Sequence, residues 1–221
     1  MSALYYCRQT TTACKGIPYP SKTHPYRYGT SGCVYTSGCG VCASLMALRN
    51  STTRVFNTRQ WTHRCLGMGA RAAEGTDMAV VARYMKEKYG LDYAITTDMD
   101  RLVAHLKQGY KAIINVSGGG KMLFSNSGHY VLAAGIDKNG NLIILDPYWY
   151  DGKFTLTAAR RKYTRVKNGR EVYVRPADLK GDVLSLWLFT PKRDVRLAYS
   201  VNDIHYRKSA PTAPTVKPGT Y

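Results

Sequence analysis

A chain of 221 residues with 44% hydrophobic content is long enough to bury one sizeable core, and no internal repeat divides it. Lys and Arg number 32 against 14 Asp and Glu, a formal charge of +18. That excess predicts attraction to a polyanion (nucleic acid, an anionic membrane face or an anionic cell-wall polymer), with solubility alone as the plain alternative. No stretch approaches the roughly 20 apolar residues of a membrane-spanning helix, and the N-terminal MSALYYCRQTTTACKG has no basic start followed by an apolar run, so neither a span nor a signal peptide is expected.

In chain order, residues 1 to about 36 are rich in Tyr, Thr, Gly, Pro and Ser and read as extended, loop-dominated chain. From Cys39 to about Arg49 the residues suit a helix, with Leu45, Leu48, Ala43 and Ala47 able to bury one side and Ser37 placed to cap its start. Residues 51–75 carry no clear pattern. TDMAVVARYMKEKYG, from Thr76, is an amphipathic helix with Val81, Tyr84 and Met85 on one face and Gly90 as its stop. DMDRLVAHLKQGY repeats that design around Leu102, Val103 and Leu106 and ends at Gly109. The period then changes: AIINV (112–116), HYVLAAGI (129–136), NLIILD (141–146) and VLSLWLFT (183–190) read as strands, with Asn139-Gly140 as a tight hairpin turn. Helices first and strands afterwards predict an α+β domain over residues 1–208, a helical half packed on an antiparallel sheet. SAPTAPTVKPGTY (209–221) reads as a Pro/Thr-rich tail or linker.

The six cysteines are read as free thiols in the absence of a secretion signal. Cys39 is the distinctive one. It stands where a glycine-containing loop enters a helix, and the N–H groups and partial positive charge of a helix N-terminus favour a thiolate and can also hold an oxyanion. A nucleophile there needs a base. His129 follows the loop SGGGKMLFSNSG, read as flexible, and opens an apolar strand; Asp146 closes the strand across the hairpin. The hairpin brings those two strand ends together, so Asp146 can accept a hydrogen bond from His129 and complete a Cys-His-Asp triad. Taken singly, a histidine at a strand start is a polar boundary residue and an Asp-Pro pair a turn opening. Two alternatives remain open. A zinc site from Cys39 and Cys42 with His63 and Cys65 has suitable ligand types but irregular spacing, and a catalytically silent polyanion-binding protein would need no triad at all.

CGVCASLMAL followed by GHYVLAAGIDKNGNLIILDPYW resembles the papain-like cysteine peptidases of the bacteriocin leader-peptidase-like group, over roughly Tyr26 to Tyr150. YGTSGCVYTSGCG is similar to the stretch before the nucleophile in stand-alone bacterial and phage members. The resemblance implies the papain-like fold and Cys39, His129 and Asp146 as nucleophile, base and orienting acid, with neither cofactor nor metal. Many relatives carry a Gln six residues before the nucleophile as an oxyanion donor; that position here is Cys33, which leaves Ser37 and Tyr35 as candidates. In the register of papain itself Cys42 would be the nucleophile, but Ala43 stands where Trp is expected, and Cys39 is preferred. The resemblance also implies a substrate class. Leader peptidases of the group are fused to membrane transporters, whereas stand-alone members degrade peptidoglycan, phage lysins among them. The expectation is therefore an amidase or endopeptidase acting at the bacterial cell wall after synthesis in the cytoplasm without a signal peptide. Its charge would hold it to teichoic acid, and nucleic acid is disfavoured as a partner because no nucleic-acid fold signature accompanies the basic run at 160–175. A peptidase of a protein substrate is the second enzymatic reading.

Overall fold

The computed structural model describes residues 4–192, so the tail read at 209–221 and its boundary lie outside the described residues. The N-terminal part is mostly irregular chain, as its turn-rich composition predicts, broken by two single turns, α1 (Thr12–Lys15) and α2 (Val34–Ser37). Helices α3 (Cys39–Ser51), α4 (Thr58–Gly67) and α5 (Met78–Tyr89) follow. Helix α4 lies in the stretch without a clear pattern; its start is fixed by a capping box between Asn57 and Gln60. Asp77 caps α5, and Gly90 ends it in the left-handed conformation. Strand β1 (Leu91–Thr96) and helix α6 (Met99–Lys107) come next, then β2 (Lys111–Val116), β3 (His129–Ile136) and β4 (Leu142–Leu145). Helix α7 (Ala158–Tyr163), β5 (Thr164–Lys167), β6 (Glu171–Val174), the short α8 (Pro176–Leu179) and β7 (Val183–Pro191) complete the described chain.

Seven strands form one antiparallel sheet in the order β1-β7-β2-β3-β4-β6-β5, which confirms the α+β papain-like class. The four strands legible in the sequence occupy its middle, where both faces are covered. Ile113 and Leu132 face one core with α3, α4 and α5, while their neighbours Ile114 and Val131 face a second core with α6. Burial on both sides is why these strands read as apolar runs. Strands β1 and β5 are edges, and the exposed Ile95 and Val166 leave no apolar alternation to recognise. The hairpin between β3 and β4 uses a loop one residue longer than the two-residue turn read from Asn139-Gly140. Asp137 and Asn141 pair through the Asp137 N–H and the Asn141 carbonyl at 2.9 Å, and Gly140 takes φ 79°.

Helix α3 is buried along nearly its whole length, from Gly40 to Leu48, between the sheet and its neighbouring helices. It is pinned by polar contacts as well. Trp61 Nε1 donates to Ser44 Oγ at 2.9 Å, and Asn50 brackets Tyr5, accepting from its N–H at 2.8 Å and donating to its carbonyl at 2.9 Å. The N-terminal segment is thereby fastened to the helix that presents Cys39. Among the described residues no helix is long and apolar enough to cross a membrane.

Candidate active site

Cys39 is the first residue of α3, between two glycines with different tasks. A side chain on Gly38 would run into Val34 of the preceding turn, and a Cβ on Gly40 would lie 2.5 Å from Thr76 Cβ. The Gly-Cys-Gly sequence thus lets α2 and the entry to α5 close on the helix start from both sides. The cap is Gly38, which offers no side chain; Ser37, expected to cap α3, instead belongs to α2 because the chain completes a turn immediately before the helix.

His129 opens β3 and is buried at 6% exposure. Pairing of Leu132 with Leu145 sets Asp146, just past the end of β4, beside the start of β3. The imidazole Nε2 lies 2.8 Å from Asp146 Oδ1, which leaves Nδ1 for the Cys39 thiol. The hairpin therefore delivers the pairing of strand ends expected from the sequence. The loop before His129, read as flexible, is instead held by Asp182, whose carboxylate accepts the N–H groups of Lys121 at 2.6 Å, Met122 at 3.2 Å and Leu123 at 2.8 Å. Its glycines serve close approach, since a Cβ on Gly120 would strike Gly181 and the Asp182 carboxylate.

The electrostatics of the three groups are coupled. Burial works against a thiolate at Cys39, but the hydrogen bond and charge of His129 and the N–H groups of Tyr130 and Gly40 outweigh it, so this thiol ionises below the ordinary value. Burial likewise opposes the imidazolium, yet the charge and hydrogen bond of Asp146, assisted by Cys39, raise His129 to about 9. Burial alone would lift Asp146, but Lys153 and His129 hold it below the usual carboxylate range. Cys42 contrasts with Cys39: it is fully buried, and its hydrogen bond with Cys7 and the apolar surroundings push its thiol well above the ordinary value. The four residues of the zinc alternative do not assemble. His63 is exposed on α4 while Cys65 and Cys42 are buried, and among the described residues no three His, Cys, Asp or Glu side chains gather at metal-binding range.

Two neighbours of the site went unread in the sequence. Lys153 is 2% exposed, and its Nζ lies 2.6 Å from Asp146 Oδ2 and 2.9 Å from the Tyr148 carbonyl. Gln9 is also buried; its backbone N–H donates to the Pro147 carbonyl at 2.8 Å and its Nε2 to the Tyr35 carbonyl at 3.1 Å, while Oε1 has no partner among the described residues. Of the expected oxyanion donors, Ser37 lies on the α2 turn with its hydroxyl 3.5 Å from that of Thr36, and Tyr35 is half-buried with Lys15 Nζ 5.2 Å from its ring centre. Beside His129 the rings of Tyr148 and Tyr150 stand in sequence, Tyr148 at 6.3 Å from the imidazole and Tyr150 at 6.0 Å from Tyr148. The basic run also divides: Arg161, Lys162 and Arg165 are exposed, whereas Arg160 is buried and donates to the Met122 and Lys153 carbonyls at 3.3 and 3.2 Å.

No match was found among curated proteins. Among solved structures, the chain is similar to the peptidase domain of Streptococcus ComA, described as a bi-functional ABC transporter involved in a quorum-sensing pathway. The two share 14% identity and a TM-score of 0.46 over 70% of this chain and 91% of that one. The model of the Peptidase_C39 like family matches residues 14–171, and the chain belongs to that family of papain-like cysteine peptidases.

Proposed function

We infer that Cys39, His129 and Asp146 form the catalytic triad of a hydrolase that cuts an amide bond in bacterial peptidoglycan. The observation that carries the triad is the 2.8 Å contact between His129 and Asp146 behind a helix-terminal thiol that ionises below its ordinary value. In the reaction the Cys39 thiolate attacks the scissile carbonyl, and N–H groups at the start of α3 receive the developing oxyanion. His129 gives its proton to the leaving amine as the C–N bond breaks, which leaves a thioester. The imidazole then takes a proton from water as the water attacks that thioester, freeing the acid and restoring the thiol pair. Asp146 accepts from Nε2 throughout and keeps Nδ1 turned to the sulfur.

The choice of peptidoglycan rests on charge. With +18 overall and Arg161, Lys162 and Arg165 exposed together on α7 and β5, the enzyme carries a surface suited to anionic wall polymers such as teichoic acid. Peptidoglycan stem peptides are also short amides held in a polyanionic matrix, so attraction to the matrix raises the local concentration of substrate. The test is incubation with purified peptidoglycan followed by mass spectrometry of the released ends, with Cys39→Ser as control. New amine and carboxyl ends formed only by the native chain support the reading. An untouched sacculus, with cleavage of peptides by the same preparation, would move the substrate to a free peptide or protein.

A further inference from the structure

The buried ammonium behind the triad is the feature that an ordinary Cys-His-Asp arrangement does not need. We propose that Lys153 is a positioning residue: by clamping the outer oxygen of Asp146 it fixes the carboxylate plane and shares its charge, so that His129 holds its proton firmly enough to pair with the thiolate yet releases it to the leaving amine.

The geometry carries the idea. Asp146 is fully buried and divides its two oxygens, Oδ1 receiving His129 Nε2 at 2.8 Å and the Tyr148 N–H at 2.9 Å, and Oδ2 receiving Lys153 Nζ at 2.6 Å. The lysine is itself held by the turn Lys153–Thr155, by its bond to the Tyr148 carbonyl at 2.9 Å, and by the rings of Tyr148 and Phe154 at 5.3 and 5.6 Å. With Lys153 charged, the buried cluster of Cys39, His129, Asp146 and Lys153 is neutral overall both as thiol with imidazole and as thiolate with imidazolium. A proton therefore passes between sulfur and nitrogen without creating net buried charge. Without Lys153 both forms carry one uncompensated negative charge in a low-dielectric site, which tightens every proton in the cluster. The other groups facing it are Arg160 of α7, which bears on Lys153, Tyr6 of the N-terminal segment, which bears on Asp146, and Tyr130, Arg71, Tyr19 and Cys42, which bear on the Cys39 thiolate. Among the described residues, Lys153 and His129 are the two that pair with the Asp146 carboxylate as cations. Lys153 also carries the aromatic wall, since its ammonium bonds the carbonyl of Tyr148, one of the two rings beside the imidazole.

This proposal rests on the triad reading, and its test separates the two. Carbon NMR of the His129 ring in the full chain follows imidazolium directly, and iodoacetamide alkylation follows the Cys39 thiolate. Lys153→Met should raise the His129 midpoint by about one unit, a tenfold change in its acid constant, and delay the rise of alkylation with pH. Lys153→Arg should stay near the native midpoint. A native midpoint in folded Lys153→Met, or a midpoint in Lys153→Arg shifted as far as in Lys153→Met, overturns the proposal. Where Lys153→Met does not fold, the native chain supplies the reading: the Lys153 Nζ resonance should move at the pH where His129 titrates, and a resonance blind to that step refutes the coupling. Failure of the triad itself would appear separately, as undiminished alkylation of Cys39 and undiminished hydrolysis in His129→Ala.

Discussion

Asp146→Asn keeps the size of the side chain and one carbonyl oxygen, but it removes the charge shared by two buried cations. The amide oxygen can still face His129; its NH2 then confronts the Lys153 ammonium, where the carboxylate now accepts at 2.6 Å. Both Asp146 and Lys153 are shut from water, at 0% and 2% exposure, so no solvent relieves the opposed donors. Removing one partner of such a pair costs about 3–5 kcal/mol, and in a domain of this size each kcal/mol lowers the melting point by about 2–4 °C. The expected fall is therefore on the order of 6–20 °C, read by calorimetry and by urea midpoints at pH 7. Lys153→Met combined with Asp146→Asn should recover most of that loss, because the second change removes the stranded charge and leaves an apolar chain of similar length among Tyr148, Tyr150 and Phe154. A single Asn variant that melts within about 2 °C of the native protein would refute the reasoning, as would a double variant no more stable than the single.

The remaining predictions concern the thiols, the ion pair and the surface. Cys39→Ser should abolish hydrolysis and rapid alkylation, whereas Cys42→Ser should keep most activity at some cost in stability, since that thiol is buried beside Cys7; the reverse pattern, scored by turnover of the same substrate, would move the nucleophile to Cys42. His129, raised to about 9, stabilises the fold below about 6.5 and loses that contribution as pH rises through about 9, while the lowered Cys39 adds stability in the opposite sense as pH rises toward the ordinary thiol value. The two shifts oppose each other, so Cys39→Ser, which removes the opposing member, should make urea stability fall more steeply than in the native chain as pH rises above about 6.5, and an unchanged slope would refute the pairing. Binding to intact walls should weaken steeply from 0.1 to 1 M salt, as the Debye length drops from about 10 to 3 Å, with cleavage of a small neutral peptide little changed. Arg161, Lys162 and Arg165 changed together to Gln should imitate high salt in a wall-sedimentation assay, and wall binding indifferent to salt would sink the tether.

Much of the site was legible because its residues announce themselves by contrast with their surroundings. His129 is a polar residue at the head of an apolar strand, Asp146 ends the strand that returns, and a hairpin leaves the two ends nowhere to go but together. The Gly-Cys-Gly helix entry was equally visible, although its glycines turned out to serve contacts with Val34 and Thr76, which lie at different distances along the chain. Lys153 was hidden for a physical reason: a lysine in the polar turn YDGKFT has every local mark of a solvated side chain, and only the fold shows that its partner is seven residues upstream inside the protein. Arg160 was hidden in the same way, inside a run of basic residues whose neighbours Arg161 and Lys162 are exposed. Strands β1 and β5 escaped because a sheet edge lacks the apolar alternation on which recognition depends, whereas β6, inside the sheet, is only four residues long and follows a charged turn. Ser37 failed as a cap because the turn α2 had already consumed it.

Strand β7 lies between β1 and β2, although it is the last described element to be made. Until residues 183–191 arrive, the sheet is split into two pieces, with β1 parted from the one strand it pairs with among the described residues and β2 exposing an open edge. Asp182, which holds the loop leading to His129, comes just before that strand and so arrives equally late. A nascent chain long enough to contain Cys39, His129 and Asp146 would thus still lack the strand that joins the two pieces of the sheet and the carboxylate that holds the loop before His129. Closing the sheet is therefore a late, non-local step of folding, and a chain truncated before residue 183 should show a destabilised site even though its nucleophile, base and acid are all present.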